Sequence, residues 1–310
     1  MFLLETERME KKALLIFNSK AGTGTAGKNL PGMIEDLTAG GYLVTAVPVI
    51  GDTPLSVEKV LEDHHQEFDV LAVCGGDGTL NHITNKLMEI GADLPVGYVP
   101  NGSANDFSKS LYEKEHISAK EICSYIISGK TRRCDLGRFN SRYFNYVAAF
   151  GAFTEVSYTT PQDMKNAIGY AAYVLEVFSK LKDDINYNQH VKVIHDGIET
   201  EGDYLFGFVS NSISVAGMKS SFIADSSLDD GYLELTLISV PNNAKELGEL
   251  IGAAASGDTN SKYIYSAKFK NAQFIFRNPV SWTLDGEDGG EHSEVRVEIQ
   301  EKKLQVFAAV

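Results

Sequence analysis

Apolar and polar residues alternate in two different rhythms along this chain, and the rhythm changes near residue 133. Before it, short apolar runs at Lys12 to Asn18, Tyr42 to Val49, Asp69 to Cys74 and Val96 to Val99 alternate with helical stretches. Apolar strands separated by amphipathic helices predict parallel βα units. In the stretch after Cys74, Leu80, Ile83, Leu87 and Ile90 recur at helical spacing. One face of that helix therefore packs inward, with Thr79 near its start as a cap. After residue 133 strands dominate: Tyr143 to Ala149, Val191 to His195, Tyr204 to Ser210, Tyr232 to Val240, Ala272 to Phe276, Ser281 to Asp285 and Glu294 to Gln300. In the last of these Val295, Val297 and Ile299 alternate with Arg296, Glu298 and Gln300, the period of a half-buried strand. The expected fold class is α/β plus β: a parallel α/β domain over residues 1–132 and an antiparallel β-sandwich over 133–300.

Composition narrows the function classes. At 310 residues, 43% hydrophobic and 23% charged, the chain is long enough for two ordinary globular domains. No apolar run reaches the roughly 20 residues that span a bilayer; Ala167 to Phe178 is short and holds Glu176. Phe2-Leu3-Leu4 is followed by Glu5, Glu7 and Glu10, which leaves no signal-peptide core. Met9, directly ahead of Glu10-Lys11-Lys12, is an alternative translation start to Met1. Cys74, Cys123 and Cys134 have no paired spacing and read as reduced core thiols, placing the protein in the cytoplasm. The net charge of −14 argues against a nucleic-acid partner and against tight adsorption to anionic membranes. The one basic cluster, Lys130-Thr131-Arg132-Arg133, reads as a solvated turn before a strand from Cys134.

Gly75-Gly76-Asp77-Gly78-Thr79 lies where an apolar strand gives way to the amphipathic helix. Such a place binds phosphates, because glycines let a ligand approach the backbone and the opening N–H groups of a helix attract anions. Asp77 beside a triphosphate calls for a divalent cation, Mg²⁺, between its carboxylate and the phosphate oxygens. A second turn, Pro100-Asn101-Gly102-Ser103-Ala104-Asn105-Asp106-Phe107, follows the next apolar run and belongs at the same sheet edge. Read by itself, either loop is a turn; the pair makes a nucleotide pocket with Ser103, Asn105 and Asp106.

Gly22-Thr23-Gly24-Thr25-Ala26-Gly27-Lys28 satisfies the dinucleotide fingerprint and most of a Walker A loop. Asn29 stands where that loop needs Ser or Thr for Mg²⁺, and Pro31 restricts how a helix begins there. The dinucleotide alternative has only Asp52 as a ribose-binding acid. The stretch is therefore read as a cover over the ATP phosphates, with Asn18, Lys20 and Lys28 as polar contacts.

Asn18, the Gly-Gly-Asp-Gly-Thr-Leu-Asn run at 75–81, the Gly-Ser-Ala-Asn-Asp-Phe run at 102–107 and Leu284-Asp285-Gly286-Glu287, in this order, resemble the diacylglycerol kinase catalytic family, which includes sphingosine and ceramide kinases. The resemblance covers nearly the whole chain and is nearest to the soluble bacterial members. It implies a Rossmann-like ATP-binding domain built from Asn18, Lys20, Lys28, Gly75, Gly76, Asp77, Gly78, Thr79, Asn81, Gly102, Ser103 and Asp106. The end of the chain, 301–310, is implied to return to that domain. Asp77 is implied to hold the catalytic Mg²⁺, directly or through water. Asp285 is the first choice for general base, with Glu287 an alternative base or orienting partner. On residues alone the two acids flank Gly286 and, in extended backbone, project to one side; the alternative is an exposed acidic turn, as Glu287-Asp288-Gly289-Gly290-Glu291 reads. Relatives carry a second, structural Mg²⁺ at the place of Asp229-Asp230-Gly231-Tyr232, which assigns Asp230 and backbone oxygens of Ser227 and Tyr232 as ligands; without the resemblance this is a tight turn into a strand. Lys165 resembles a lysine of a charge network bridging the domains, while Lys109 and Val49 depart from the family's usual residues.

The implied reaction is ATP-dependent phosphorylation of diacylglycerol to phosphatidic acid, at the inner membrane face, with lipid entering between domains. Other lipid alcohols stay open as acceptors, as do an NAD kinase, a regulator that has lost catalysis, and a homodimer. Ile168, Ala171, Leu175 and Phe178 with Tyr170, Val174, Val177 and Leu181 give a helix apolar on more than one face, either buried or lining an acyl-chain groove.

Overall fold

The computed structural model describes residues 10–21, 26–51, 53–151, 188–212, 214–215, 218–219, 226–256, 258 and 261–309. The expectations for Met1 and Met9, the glycines at 22 and 24, Asp52, Lys165 and the helix of 167–181 lie outside those residues. The chain divides into two compact units, Met1–Cys134 with Leu304–Val310, and Asp135–Lys303.

In the first unit, β1 (Lys11–Phe17), α1 (Ala26–Ala39), β2 (Tyr42–Pro48), α2 (Val57–His64), β3 (Val70–Gly75), α3 (Asp77–Ile90) and β4 (Val96–Pro100) alternate as the pattern predicts. All their pairings are parallel, in the order β2-β1-β3-β4, and Val306 from the last strand pairs parallel with Val96. β3 is buried at every position, which is why it reads as an unbroken apolar run. α4 (Asp106–Tyr112) and α5 (Ala119–Ser128) follow. Ser118 and Glu121 close a capping box on α5, and Gly129 ends it at φ 70°.

Pro31 proves to be inside α1 rather than a barrier before it. The helix begins five residues earlier, so the proline removes one interior hydrogen bond instead of setting the start. The basic cluster is likewise no turn. β5 (Thr131–Phe139) already includes Thr131, Arg132 and Arg133, and Arg133 Nη2 bonds Asp93 Oδ2 at 2.6 Å. Its charge is taken up by a neighbour, so the residue follows the strand.

The second unit is strand-rich: β6 (Arg142–Phe144), β7 (Val147–Gly151), β8 (Gln189–His195), β9 (Ile198–Ser210), the short β10 (Ser214–Val215) and β11 (Met218–Lys219), β12 (Leu233–Ser239), β13 (Ile264–Phe269), β14 (Asn271–Leu284) and β15 (Glu287–Phe307), with α6 (Ala244–Ser256) between β12 and β13. Among the described residues the large strands hydrogen-bond into one antiparallel sheet, β13-β12-β9-β7-β14-β15, with β5 and β6 continuing from β15. β7 and β8 lie end to end between β9 and β14. The inward alternation of β14 buries Phe274, Phe276 and Trp282. Trp282 packs with its ring centroid 4.8 Å from Phe150, tilted, and 5.0 Å from Phe139, edge to face, within this unit's core.

Candidate active site

The two glycine loops of the first unit are fastened to each other. Gly75 ends β3, and its carbonyl accepts the N–H of Asn101 at 2.7 Å. A Cβ on Gly102 would come within 2.7 Å of the Gly76 Cα, and one on Gly76 within 3.2 Å of the Gly102 Cα. The loops therefore touch backbone to backbone, a closeness that requires glycine at 102 and leaves little room at 76. Asn105 sits at φ 54° and braces the second loop, its Oδ1 accepting from Gly102 N at 2.8 Å and its Nδ2 donating to Gly102 O at 2.8 Å.

Asp77 is the fastening side chain. It is 8% exposed; its Oδ2 accepts the Asp106 amide at 3.0 Å and its Oδ1 accepts the Tyr98 hydroxyl at 3.2 Å. One carboxylate thus caps α4 and tethers β4 while standing in the first turn of α3. α3 starts at Asp77, two residues earlier than the pattern suggests, and its N-cap Gly76 offers no side-chain cap. The opening N–H groups of the helix thus receive no bond from an N-cap side chain. Thr79 is not the cap: its Oγ1 accepts Asn18 Nδ2 at 3.0 Å. Asn18 in turn accepts Lys20 N at 3.0 Å, so the loop leaving β1 joins the same assembly. Asn101 Nδ2 reaches Ala21 O at 3.4 Å.

Of the residues assigned to this pocket, Asn18, Gly75, Gly76, Asp77, Gly78, Thr79, Gly102 and Ser103 come together on these three loops, with Ser103 and Lys20 exposed. Asn81 is turned inward, 3% exposed, against Asn85 at 3.2 Å. Asp106 is fully enclosed, and its amide donates to Asp77. Lys28 is exposed on α1. Tyr98, missed in the sequence, carries a signal after all: an aromatic with a hydroxyl tip inside a buried strand has to find a polar partner.

Asp77 fits a nucleotide-borne cation. Mg²⁺ takes one or two protein carboxylates and completes its shell with phosphate and water oxygens, and Asp77 brings a carboxylate to the start of α3, where the two glycine loops meet. Among the described residues no cluster of three or more His, Cys, Asp or Glu is arranged to hold a metal by itself.

The second unit holds the other acids. Asp285 and Gly286 have φ of 51° and 86°, so they form the two-residue turn between β14 and β15. This corrects the expectation of extended backbone with both acids on one side. Asp285 turns back into the fold, 3% exposed: Oδ2 accepts Asn145 N at 2.6 Å and Asn145 Nδ2 at 2.9 Å, and Oδ1 accepts Tyr146 N at 2.9 Å and Val147 N at 3.0 Å. Four donors fill its acceptor sites. Glu287, opposite Leu284 in the ladder, is exposed.

Of the residues assigned to a structural Mg²⁺, Asp230 already has a counter-charge. Asp230 Oδ2 pairs with Lys268 Nζ at 2.9 Å and its Oδ1 accepts Tyr232 N at 3.0 Å, while Ser227 Oγ donates to Asp229 Oδ1 at 2.7 Å. An ammonium already occupies the position of positive charge. The cysteines are buried as expected, and burial pushes the Cys74 thiol up to about 11.

Residues 12–139 match the family described as diacylglycerol kinase catalytic domain. Diacylglycerol kinases of Staphylococcus aureus strains Newman and JH9 are each 32% identical over 304 residues, covering 97% of this chain and 93% of theirs. A crystal structure of a diacylglycerol kinase from Bacillus anthracis superposes with a TM-score of 0.72 at 20% identity, over 97% of this chain and 98% of that one.

Proposed function

Because this chain belongs to the diacylglycerol kinase family, and is an enzyme of that kind, we propose that it moves the γ-phosphoryl group of ATP to the hydroxyl of diacylglycerol, giving phosphatidic acid and ADP. The observation that carries the reading is the knot of two glycine loops around Asp77, a rigid anion cradle at the carboxyl edge of a parallel sheet. In this reading the first unit is the Rossmann-like ATP-binding domain and the second the lipid-substrate domain.

Phosphoryl transfer asks little covalent chemistry of a protein; it asks for positioning and charge stabilisation. Amides opening α3 and the backbone of Gly102 and Ser103 receive phosphate oxygens, and Lys20 and Lys28 add positive charge from the first loop. Mg²⁺, held by Asp77, supplies neutralisation of the polyphosphate when bound. Glu287 takes the proton of the attacking hydroxyl as its oxygen bonds the γ-phosphorus and the bond to ADP breaks. Asp285, with every lone pair engaged, holds the turn that presents Glu287.

A lipid acceptor requires contact with a membrane surface from the cytoplasm. The net charge of −14 opposes anionic headgroups, so that contact is peripheral and made by apolar side chains. Among the described residues no helix is long and apolar enough to cross a membrane.

The test is transfer of label from ATP in mixed micelles, offered diacylglycerol, other lipid alcohols and, separately, NAD. Labelled phosphatidic acid supports the assignment. Label on another lipid alcohol or on NAD replaces the acceptor, and binding of ATP without turnover on any acceptor makes the chain a nucleotide-binding regulator.

A further inference from the structure

The turn of Asp229 to Tyr232 carries an acidic pair balanced from within the chain. Glu234 on β12 is directly opposite Lys268 on β13 in the antiparallel register. Asp230 stands just before β12, where Gly231 at φ 76° reverses the chain. The Lys268 ammonium lies 2.9 Å from Asp230 Oδ2 and 3.7 Å from Glu234 Oε1. Glu234 is 6% exposed; its Oε2 accepts the Ser226 hydroxyl at 2.9 Å, and its Oε1 has no hydrogen-bond partner among the described residues. Burial pushes its carboxyl up to about 7, with the Asp230 charge adding and the Ser226 and Lys268 contacts opposing.

Two close carboxylates with an underused oxygen are a donor set a hard cation would otherwise take. The lysine forestalls it. Its backbone is pinned by the β12–β13 ladder, its ammonium reaches both carboxylates, and a divalent ion in the same space would meet like charge at contact distance. The turn is also held from its other side. The enclosed Asp135 carboxylate accepts Gly231 N and Lys302 N, each at 2.7 Å, and Asp135 N donates to Leu228 O at 2.6 Å.

We propose that Lys268 is the built-in counter-cation of the Asp230–Glu234 pair, and that the second unit keeps its fold without a divalent ion at this turn. The proposal does not rest on the kinase reading.

The experiment is thermal unfolding of the nucleotide-free full chain in chelator and then in excess Mg²⁺, with Mn²⁺ binding followed by electron paramagnetic resonance. The native protein is expected to unfold at the same temperature in both, and Asp230→Asn to leave Mn²⁺ binding unchanged. Lys268→Met is expected to unfold about 2–4 °C lower in chelator and to regain that loss in Mg²⁺, whereas Lys268→Arg behaves as the native chain. A midpoint of the native protein that rises in Mg²⁺, with the rise removed by Asp230→Asn, overturns the proposal, as does loss of a bound Mn²⁺ in Asp230→Asn. The Mn²⁺ comparison stands even where Lys268→Met fails to fold.

Discussion

Replacing Gly102 by alanine tests the knot of the two loops at the point where the fewest atoms decide it. The added Cβ would lie 2.7 Å from the Gly76 Cα and 3.0 Å from Asn105 Oδ1. Ordinary carbon contacts are about 3.5–4.0 Å, so the loops have to part by roughly 1 Å, and the nearest obstacle is backbone. A shift of that size takes the Asp106 amide, now 3.0 Å from Asp77 Oδ2, and the Asn101 amide, now 2.7 Å from Gly75 O, out of hydrogen-bonding range. Overpacking of this kind costs about 1–3 kcal/mol, visible as a lower melting temperature of the first unit. Misplacement of the phosphate amides by ~1 Å is expected to lower turnover about 10²-fold. Gly76→Ala is the internal control. Its Cβ meets the Gly102 Cα at 3.2 Å, and its φ of −85° and ψ of 179° suit any residue, so a few tenths of an ångström relieve it. Calorimetry and ATP-dependent turnover on the two variants should therefore rank Gly102→Ala well below Gly76→Ala. Equal behaviour, or a Gly102→Ala protein with native melting and native ATP affinity, refutes the contact on which the cradle is built.

Glu287→Gln should leave melting unchanged, since Glu287 is exposed, while lowering kcat by about 10²–10⁴-fold as general-base loss does; full turnover in this variant removes Glu287 as the proton acceptor. Asp285→Asn, by contrast, points an amide at donors that now serve Oδ1 or Oδ2, so it should lower melting and activity together, and native melting would show that the turn does not depend on the carboxylate. His195 gives a pH signature. It is buried, bonded through Nε2 to the Tyr265 hydroxyl at 2.5 Å, and burial holds it below its ordinary value of 6.5 against the opposing charge of Asp196. The unfolded chain therefore takes a proton below 6.5 that the folded chain refuses, so this part of the stability is present above 6.5 and is lost as pH falls toward the folded value. His195→Gln should flatten that fall in denaturant titrations across the range, and an unchanged slope rules the histidine out as its source.

The first unit was legible because its buried strands are unbroken apolar runs and its helices keep one apolar stripe, so Leu80, Ile83 and Leu87 announce α3 directly. Edges were harder. β9 begins at Ile198, where Glu199, Glu201 and Asp203 carry no apolar signal, and only its buried half from Tyr204 shows in the pattern. At Asp285-Gly286 the dipeptide was itself the sign of a turn with both residues at positive φ, yet two acids flanking one glycine also suited extended backbone. The glycine loops and their chemistry could be read from residue types, but not the inward fastening of Asp77. That depends on Tyr98 and the Asp106 amide, which are far away in sequence and brought near by the register of β3 with β4. The pairing of Lys268 with Glu234 was hidden for the same reason, since only the β12–β13 register sets the two opposite each other.

Transfer of label from ATP to diacylglycerol by the native chain and by Asp77→Asn is the most direct measurement of the account. The asparagine keeps an acceptor for the Asp106 amide but loses the charge proposed to hold Mg²⁺. The native protein should form phosphatidic acid in the presence of Mg²⁺, and the variant should remain folded while its turnover falls about 10³-fold. A variant that forms phosphatidic acid at the native rate would contradict the role given to Asp77, and a native protein that leaves diacylglycerol unlabelled would contradict the proposed reaction.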